Sequence, residues 1–366
     1  LSRIYTLHTK RYTDYLMVPG FFSSRPQIHN YHSGKTKSLF STGQETGMKF
    51  GFSAPFRGPL SNPRDIQTIA EAAERFGYDT LTVADHIVVP STIGANYPYS
   101  EDGEFAWTTD GSTDCMEQFT LLAWLSAVTS TVRLLTSVIV VPHRNPLFMA
   151  KSLATTDQLS GGRVTVGCGA GWMREEFEAL NITDFDARGR VTDEYIQVMK
   201  ELWTKGRASF HGEFIDFTDV AADPKPVQQP HPPIWIGGES MPAIRRTAAL
   251  GDTWYPFGSN PKFRMDTIET FAVRRDKLFA EAERLDRDPA SIGLAYNCSF
   301  HNEDAQTHID GGRLLFTGSP EERAEDIAQL ETAGVSTMII NVTSNNLSHM
   351  LERVESFSSD VIALLV

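Results

Sequence analysis

Eight short runs of β-branched and other apolar residues, each followed by a helical pattern, constrain the fold of this chain most strongly. Most of them are apolar throughout, as in residues 134–141, which read LLTSVIVV. Strands of this kind belong to parallel sheets that helices cover on both faces. The predicted strands are residues 49–54, 80–84, 132–141, 163–169, 233–237, 252–255, 292–297 and 337–341.

Helix start signals follow the strands in the expected gaps. Asn62 is a suitable N-cap before Pro63, and Ser319 with Glu322 forms a capping box around Pro320. Eight strand–helix units predict an α/β fold of the (β/α)8 TIM barrel type. An open, doubly wound sheet is the alternative, and it would need a GxGxxG turn after the first strand, which residues 51–58 lack.

Three long segments follow the second, fourth and seventh predicted strands. They comprise residues 90–115, 171–190 and 300–315. Because barrel active sites form at the carboxyl ends of the strands, these insertions are expected to surround the site. A fourth segment, residues 207–230, follows a helix and is expected on the opposite face.

Residues 1–47 differ in composition from the rest of the chain, with six Lys/Arg against two Asp/Glu, whereas the whole chain has a net charge of −13. We expect them to form an unstructured leader outside a barrel domain of residues 48–366. Translation of upstream sequence or a cloning remnant would account for this leader. A transit peptide is the alternative.

Composition also limits the partners. The acidic balance disfavours nucleic acid, and no apolar run approaches the roughly 20 residues of a membrane span. Cys115, Cys168 and Cys298 form no CxxC pair, so we expect neither a disulfide framework nor a metal site. A cytoplasmic enzyme fits these features best.

Two residues at the end of the second predicted strand are candidates for chemistry. Asp85 and His86 would be delivered to the mouth of the barrel, where a histidine can exchange protons near neutral pH. A satisfied structural histidine is the alternative interpretation.

Two glycine-rich turns are candidate ligand contacts. Gly167, Gly169 and Gly171 precede Trp172, and glycine allows a ligand to approach the backbone closely. Gly237, Gly238, Glu239 and Ser240 lead into a predicted helix, whose N-terminus could bind a phosphate. Each motif could equally be a tight turn without a ligand.

In this order, the segments resemble the bacterial-luciferase-like flavin and deazaflavin oxidoreductases, most closely the branch that uses coenzyme F420. The segments that carry the resemblance are residues 84–90 (ADHIVVP), 136–146 (TSVIVVPHRNP), 157–163 (DQLSGGR), 169–172 (GAGW) and 232–240 (PPIWIGGES).

The resemblance implies a non-prolyl cis peptide at Ser137-Val138, in a bulge that backs the cofactor ring. It also implies cofactor contacts at Asp85, Gly169 and Gly171, and a phosphate site at the four residues from Gly237 to Ser240. His86 inherits a role in acid–base steps. Trp172 stands where the sugar-phosphate dehydrogenase branch carries a glutamate, which disfavours that substrate.

Three functions stay open at this point. The first is hydride transfer between F420 and a small organic substrate; the second is an FMN-dependent monooxygenase fed by a separate reductase. The third is a flavin-binding protein without turnover. For either enzyme we expect a homodimer with a substrate pocket near Tyr97, Trp107 and Trp172.

Overall fold

The computed structural model describes residues 47–105, 114–182 and 184–365. The predicted leader, apart from Gly47, therefore lies outside the described residues. Trp107, a predicted pocket residue, also lies outside them.

A closed barrel of parallel strands forms the centre of the described chain. The strands within the described residues are β1 Lys49–Ser53, β2 Thr80–Val83, β3 Arg133–Thr136, β4 Ile139–Val140, β5 Val164–Gly169, β6 Ala208–His211, β7 Asp216–Val220, β8 Ile234–Gly237, β9 Thr253–Tyr255, β10 Gly293–Cys298 and β11 Thr337–Ile340. Nine of them pair in the order β3-β2-β1-β11-β10-β9-β8-β5-β4, and β3 also pairs with β5, which closes the sheet. The predicted (β/α)8 barrel is confirmed, and the open-sheet alternative is wrong because of this closure.

The third barrel strand is interrupted, whereas the sequence pattern predicted one continuous strand. A cis peptide joins Ser137 and Val138 between β3 and β4, as the family resemblance implied. Leu135 pairs with Thr165 and Ile139 pairs with Cys168. From residue 135 to residue 139 the third strand advances by four residues, whereas β5 advances by three, from residue 165 to residue 168. The third strand therefore carries one extra residue, which is a β-bulge.

The described helices are α1 Pro63–Arg75, α2 Gln118–Val128, α3 Pro146–Ser160, α4 Arg174–Leu180, α5 Arg188–Thr204, α6 Met241–Leu250, α7 Ile268–Arg284, α8 Pro320–Thr332 and α9 Leu347–Ser356. Two of them begin at the predicted start signals. The Asn62 side chain accepts a hydrogen bond from the Asp65 N–H at the start of α1, and Ser319 with Glu322 forms the capping box of α8.

An antiparallel hairpin, β6 and β7, lies outside the barrel sheet. It follows α5 and precedes β8, so chain order puts it at the amino ends of the strands. This agrees with the prediction that residues 207–230 decorate the face opposite the site.

Side chains fill the interior of the barrel. Leu135, Tyr255, Ala295 and Ile339 are buried there, and Val138, Trp235 and Phe257 pack against them. The larger apolar clusters lie between sheet and helices. The interior is thus a packed core, and a ligand must bind at the strand ends.

Gly167 provides a test of how tightly the third and fourth barrel strands pack. A β-carbon at Gly167 would lie 2.0 Å from the Thr136 carbonyl oxygen, which is part of the backbone and cannot rotate away. We expect Gly167→Ala to lower the free energy of unfolding by about 3 kcal/mol. Gly206→Ala, where no atom lies within 4 Å, is the control. Equal effects of both substitutions in chemical denaturation would contradict this packing.

Candidate functional site

A cavity of about 580 Å3 opens at the carboxyl ends of the strands. Its volume lies in the range of small-molecule sites. Gly167, a candidate ligand contact, lies within β5 and does not line the cavity. The other predicted site residues within the described chain line it: Asp85, His86, Tyr97, Ser137, Val138, Gly169, Gly171, Trp172, Gly237, Gly238, Glu239 and Ser240. The sequence therefore identified the walls of one cavity from segments far apart in the chain.

His86 is held by a buried carboxylate. Its Nδ1 lies 2.8 Å from Oε2 of Glu176, whose other oxygen accepts the N–H of Ile87 at 2.8 Å. Burial alone would raise the pKa of Glu176, but hydrogen bonds and the nearby histidines lower it. Glu176 is thus a carboxylate at neutral pH, and it orients the imidazole with Nδ1 as the donor.

The role of Glu176 was missed by sequence reasoning. The Glu175-Glu176 pair at the start of α4 was visible, but the sequence does not reveal which of the two turns inward. In the structure the neighbouring Glu175 instead accepts the N–H groups of Gly94 and Ala95, from the loop after β2.

A second histidine lies behind Glu176. His143 Nδ1 is 3.9 Å from Glu176 Oε1, and within the described residues neither of its ring nitrogens has a hydrogen-bond partner. Burial lowers the pKa of His143 to about 4, against the opposing charges of Glu176 and Asp85. His143 is therefore uncharged at neutral pH.

Asp85 turns away from His86 and binds the neighbouring strand. Its carboxylate accepts the N–H of Val140 at 2.9 Å and both Nη atoms of Arg144 at 2.7 and 2.8 Å. This bidentate pair joins the end of β2 to the segment after β4. Both carboxylate oxygens of Asp85 thus have hydrogen-bond partners inside the protein. A direct contact between Asp85 and the cofactor stays a prediction.

The glycines around the bulge make room for Val138. A β-carbon at Gly169 would lie 2.5 Å from Val138 Cγ2, and one at Gly237 would lie 3.0 Å from Cγ1. The sequence analysis explained these glycines only by the close approach of a ligand. It did not predict that they also leave space for the Val138 side chain. Ser137 is fixed from the barrel interior, since its Oγ lies 3.0 Å from the hydroxyl of Tyr255.

One end of the cavity is suited to an anion. Helix α6 begins at Met241, and its N-cap, Ser240, makes no side-chain capping bond. Arg188 and Arg246 line the same end, and Arg246 pairs with Asp193. Helix N-terminal N–H groups beside guanidinium groups form an anion site. Arg188, which donates to the Gly171 carbonyl at 3.1 Å, was not predicted.

The other end of the cavity has an aromatic wall. The ring of Tyr97 lies 5.1 Å from that of Trp172 and 5.2 Å from that of Phe105, and Phe105 lies 5.4 Å from His86. Tyr97 and Phe105 come from the insertion after β2. The wall thus brings apolar surface next to the candidate proton carrier.

Glu239 is a buried carboxyl group on the cavity wall, with 2% of its surface exposed. It accepts hydrogen bonds of 2.7 Å from the Phe257 N–H and from Asn260 Nδ2. Burial raises the pKa of Glu239 to about 7 despite these bonds. Its charge therefore changes near neutrality.

Within residues 47–105, 114–182 and 184–365, no cluster of three His, Cys, Asp or Glu residues is arranged to hold a metal ion. No helix in that part of the chain is long and apolar enough to cross a membrane.

The family model described as luciferase-like monooxygenase matches residues 48–310. The chain belongs to this family. An uncharacterized protein of Mycobacterium tuberculosis is 35% identical over 58% of this chain and 71% of its own length. The FMNH2-dependent dimethylsulfone monooxygenase of Pseudomonas putida is 28% identical over 70% of this chain and 80% of its own length.

Solved structures agree on the fold. The F420-dependent secondary alcohol dehydrogenase, in complex with an F420-acetone adduct, aligns with a TM-score of 0.66 at 18% identity. The alignment covers 87% of this chain and 99% of that one. Enzymes of this fold thus include both F420-dependent and FMNH2-dependent members, and the chain is an oxidoreductase of the luciferase-like type.

The raised pKa of Glu239 gives a pH prediction. Because the folded-state pKa of about 7 exceeds the ordinary value of 4.5, protonation favours the folded protein. The stability that Glu239 contributes is therefore present below about pH 4.5 and lost as pH rises to 7. Relative to the parent, Glu239→Gln should gain about 2–3 kcal/mol between pH 5 and pH 8.

Chemical denaturation at both pH values measures this gain. Glu74→Gln is the control, because hydrogen bonds outweigh burial there and lower the pKa of Glu74, so it stays charged throughout this range. Identical pH profiles of the parent and Glu239→Gln would contradict the prediction.

Proposed function

We propose that this chain transfers a hydride between coenzyme F420 and a small organic substrate. The observation that carries the proposal is the His86–Glu176 pair, which faces the same cavity as the Val138 bulge and the N-terminus of α6. Hydride transfer to a carbonyl, imine or activated alkene needs a proton donor beside the reacting atom, and an oriented histidine can supply it.

The residues present fit a phosphate-bearing, ring-shaped cofactor. The first N–H groups of α6, with Arg188 and Arg246, would hold its phosphate, and Val138 and Gly169 would bound the ring. When bound, a deazaflavin supplies hydride exchange at its ring carbon C5. The protein supplies binding, orientation and proton handling.

The residues that line the cavity have separate roles in this proposal. Glu176 keeps the Nδ1 proton on His86, so that proton exchange with substrate uses Nε2. Tyr97 and Trp172 exclude water and favour a substrate with an apolar body. An acid–base group in such surroundings can work in either direction of the reaction.

A second candidate is an FMN-dependent monooxygenase supplied by a separate reductase. The 28% identity to the FMNH2-dependent dimethylsulfone monooxygenase favours it. Its phosphate would use the same end of the cavity. The third candidate, a flavin-binding protein without turnover, would share the binding residues and would need no proton carrier.

Cofactor titration distinguishes these candidates. The purified protein is titrated with F420 and with FMN while cofactor fluorescence is followed, and then assayed with reduced F420 and an electron-poor alkene or imine. We expect F420 to bind at least about tenfold more tightly, a difference of about 1.4 kcal/mol. Tighter FMN binding with oxygen consumption would support the monooxygenase, and binding without turnover would support the third candidate.

Substitution of His86 tests the proton carrier. We expect His86→Ala to lower turnover by about 10²–10⁴-fold while cofactor affinity is retained, because a positioned acid–base group contributes this much. His211→Ala, at an exposed histidine of the β6–β7 hairpin, is the control. Unchanged turnover of His86→Ala between pH 5 and pH 9 would remove His86 from the mechanism.

A further inference from the structure

Glu239 lies in the turn between β8 and α6, but its carboxylate faces the loop that follows β9. One oxygen accepts the backbone N–H of Phe257 and the other accepts the side-chain amide of Asn260, each at 2.7 Å. Asn260 is itself 6% exposed, and its own oxygen accepts the N–H of Lys262 at 3.0 Å. Both carboxylate oxygens of Glu239 are thus used to hold one segment.

That segment, residues 256–264, separates two cavities, and together with Tyr99 we call it the partition. Phe257, Asn260 and Phe263 face the main cavity, whereas Ser259 and Arg264 face a neighbouring cavity of about 510 Å3. Tyr99 lines both cavities, and its ring lies 4.7 Å from that of Phe257. The position of Phe257 therefore decides how far the main cavity extends.

Other contacts hold different parts of the partition. The Gly258 N–H donates to the Asn297 carbonyl at 3.0 Å, and Arg264 pairs with Glu101 and Asp266. Glu239 supplies the bonds to Phe257, just before the first of these points, and to Asn260, between them. Its removal should consequently loosen the partition locally and leave the barrel folded.

We propose that Glu239 is a positioning residue that fixes the partition and thereby limits the size of the substrate, and that it is not a ligand of the cofactor phosphate. A carboxylate whose two oxygens already accept hydrogen bonds offers nothing to a phosphate except repulsion when it is charged. The limit on substrate size rests on the proposed function, whereas the effect on the partition does not.

Three variants test the bonds themselves. Glu239→Ala leaves two buried donors without acceptors, which is costly. Asn260→Asp places a second carboxylate against Glu239. In the double variant Glu239→Gln/Asn260→Asp, the Gln oxygen accepts the Phe257 N–H and its amide donates to the new carboxylate, which also accepts the Lys262 N–H, so every group is satisfied again.

Glu74→Ala is the matched control. The Glu74 carboxylate likewise accepts backbone N–H groups, those of Ser130, Thr131 and Val132, near the start of β3 at the other end of the barrel. Its removal costs the same kind of bond without touching either cavity.

Hydrogen exchange of the cofactor-free protein, measured on peptides covering residues 256–264, is the first readout. We expect exchange at least about tenfold faster in Glu239→Ala and in Asn260→Asp, and within about threefold of the parent in the double variant and in Glu74→Ala. If Glu239→Ala does not fold, Asn260→Asp and the double variant decide. Unchanged exchange in Asn260→Asp, or no rescue in the double variant, overturns the proposal.

The second readout is selectivity. With oxidised F420 as the hydride acceptor, the oxidation of secondary alcohols of increasing size to ketones is compared in the parent and Glu239→Ala, or in Asn260→Asp if Glu239→Ala does not fold. We expect the kcat/KM preference for small over bulky members to fall about tenfold through KM, with kcat and cofactor affinity within about threefold. A tenfold loss of cofactor affinity with normal exchange would make Glu239 a cofactor ligand and overturn the proposal. If F420 does not bind the parent protein, the proposed function fails, and the hydrogen-exchange result still tests the effect of Glu239 on the partition.

Discussion

The arrangement of the site depends on one extra residue in the third strand of a closed barrel. Because this strand is paired on both sides in the closed barrel, the extra residue is accommodated as a bulge. The bulge brings the Val138 side chain close to Gly169 and Gly237 on the neighbouring strands. Gly169 and Gly237 make room for the Val138 side chain, and Tyr255 holds Ser137 from the barrel interior. The cavity above takes its floor from this bulge.

Two adjacent residues that follow β2, Asp85 and His86, have different roles at the cavity. Asp85 forms a bidentate pair with Arg144 and holds the strand after the bulge in place. His86 turns to the cavity and is oriented by Glu176. His86 and Arg144 thus contact two different buried carboxylates, so the two side chains are positioned separately.

The sequence was most informative where the physical signal is local. Short runs of β-branched and other apolar residues predicted all eight barrel strands, and capping residues such as Asn62 and Ser319 predicted helix starts, since both depend on near neighbours in the chain. Glu176 and Arg188 were missed because their roles depend on the direction in which insertion side chains point after folding. The break at Ser137-Val138 came from family resemblance alone, because its apolar pattern is that of an uninterrupted strand.

The pairing of β1 with β11 also determines when the barrel can form during synthesis. These strands are the first and last of the barrel, and their residues Lys49 and Thr337 are register partners. Until the last strand has left the ribosome, β1 and β10 are unpaired edges of an incomplete sheet, and such edges are prone to intermolecular pairing. The nascent chain must therefore remain unaggregated until Thr337–Ile340 has been translated.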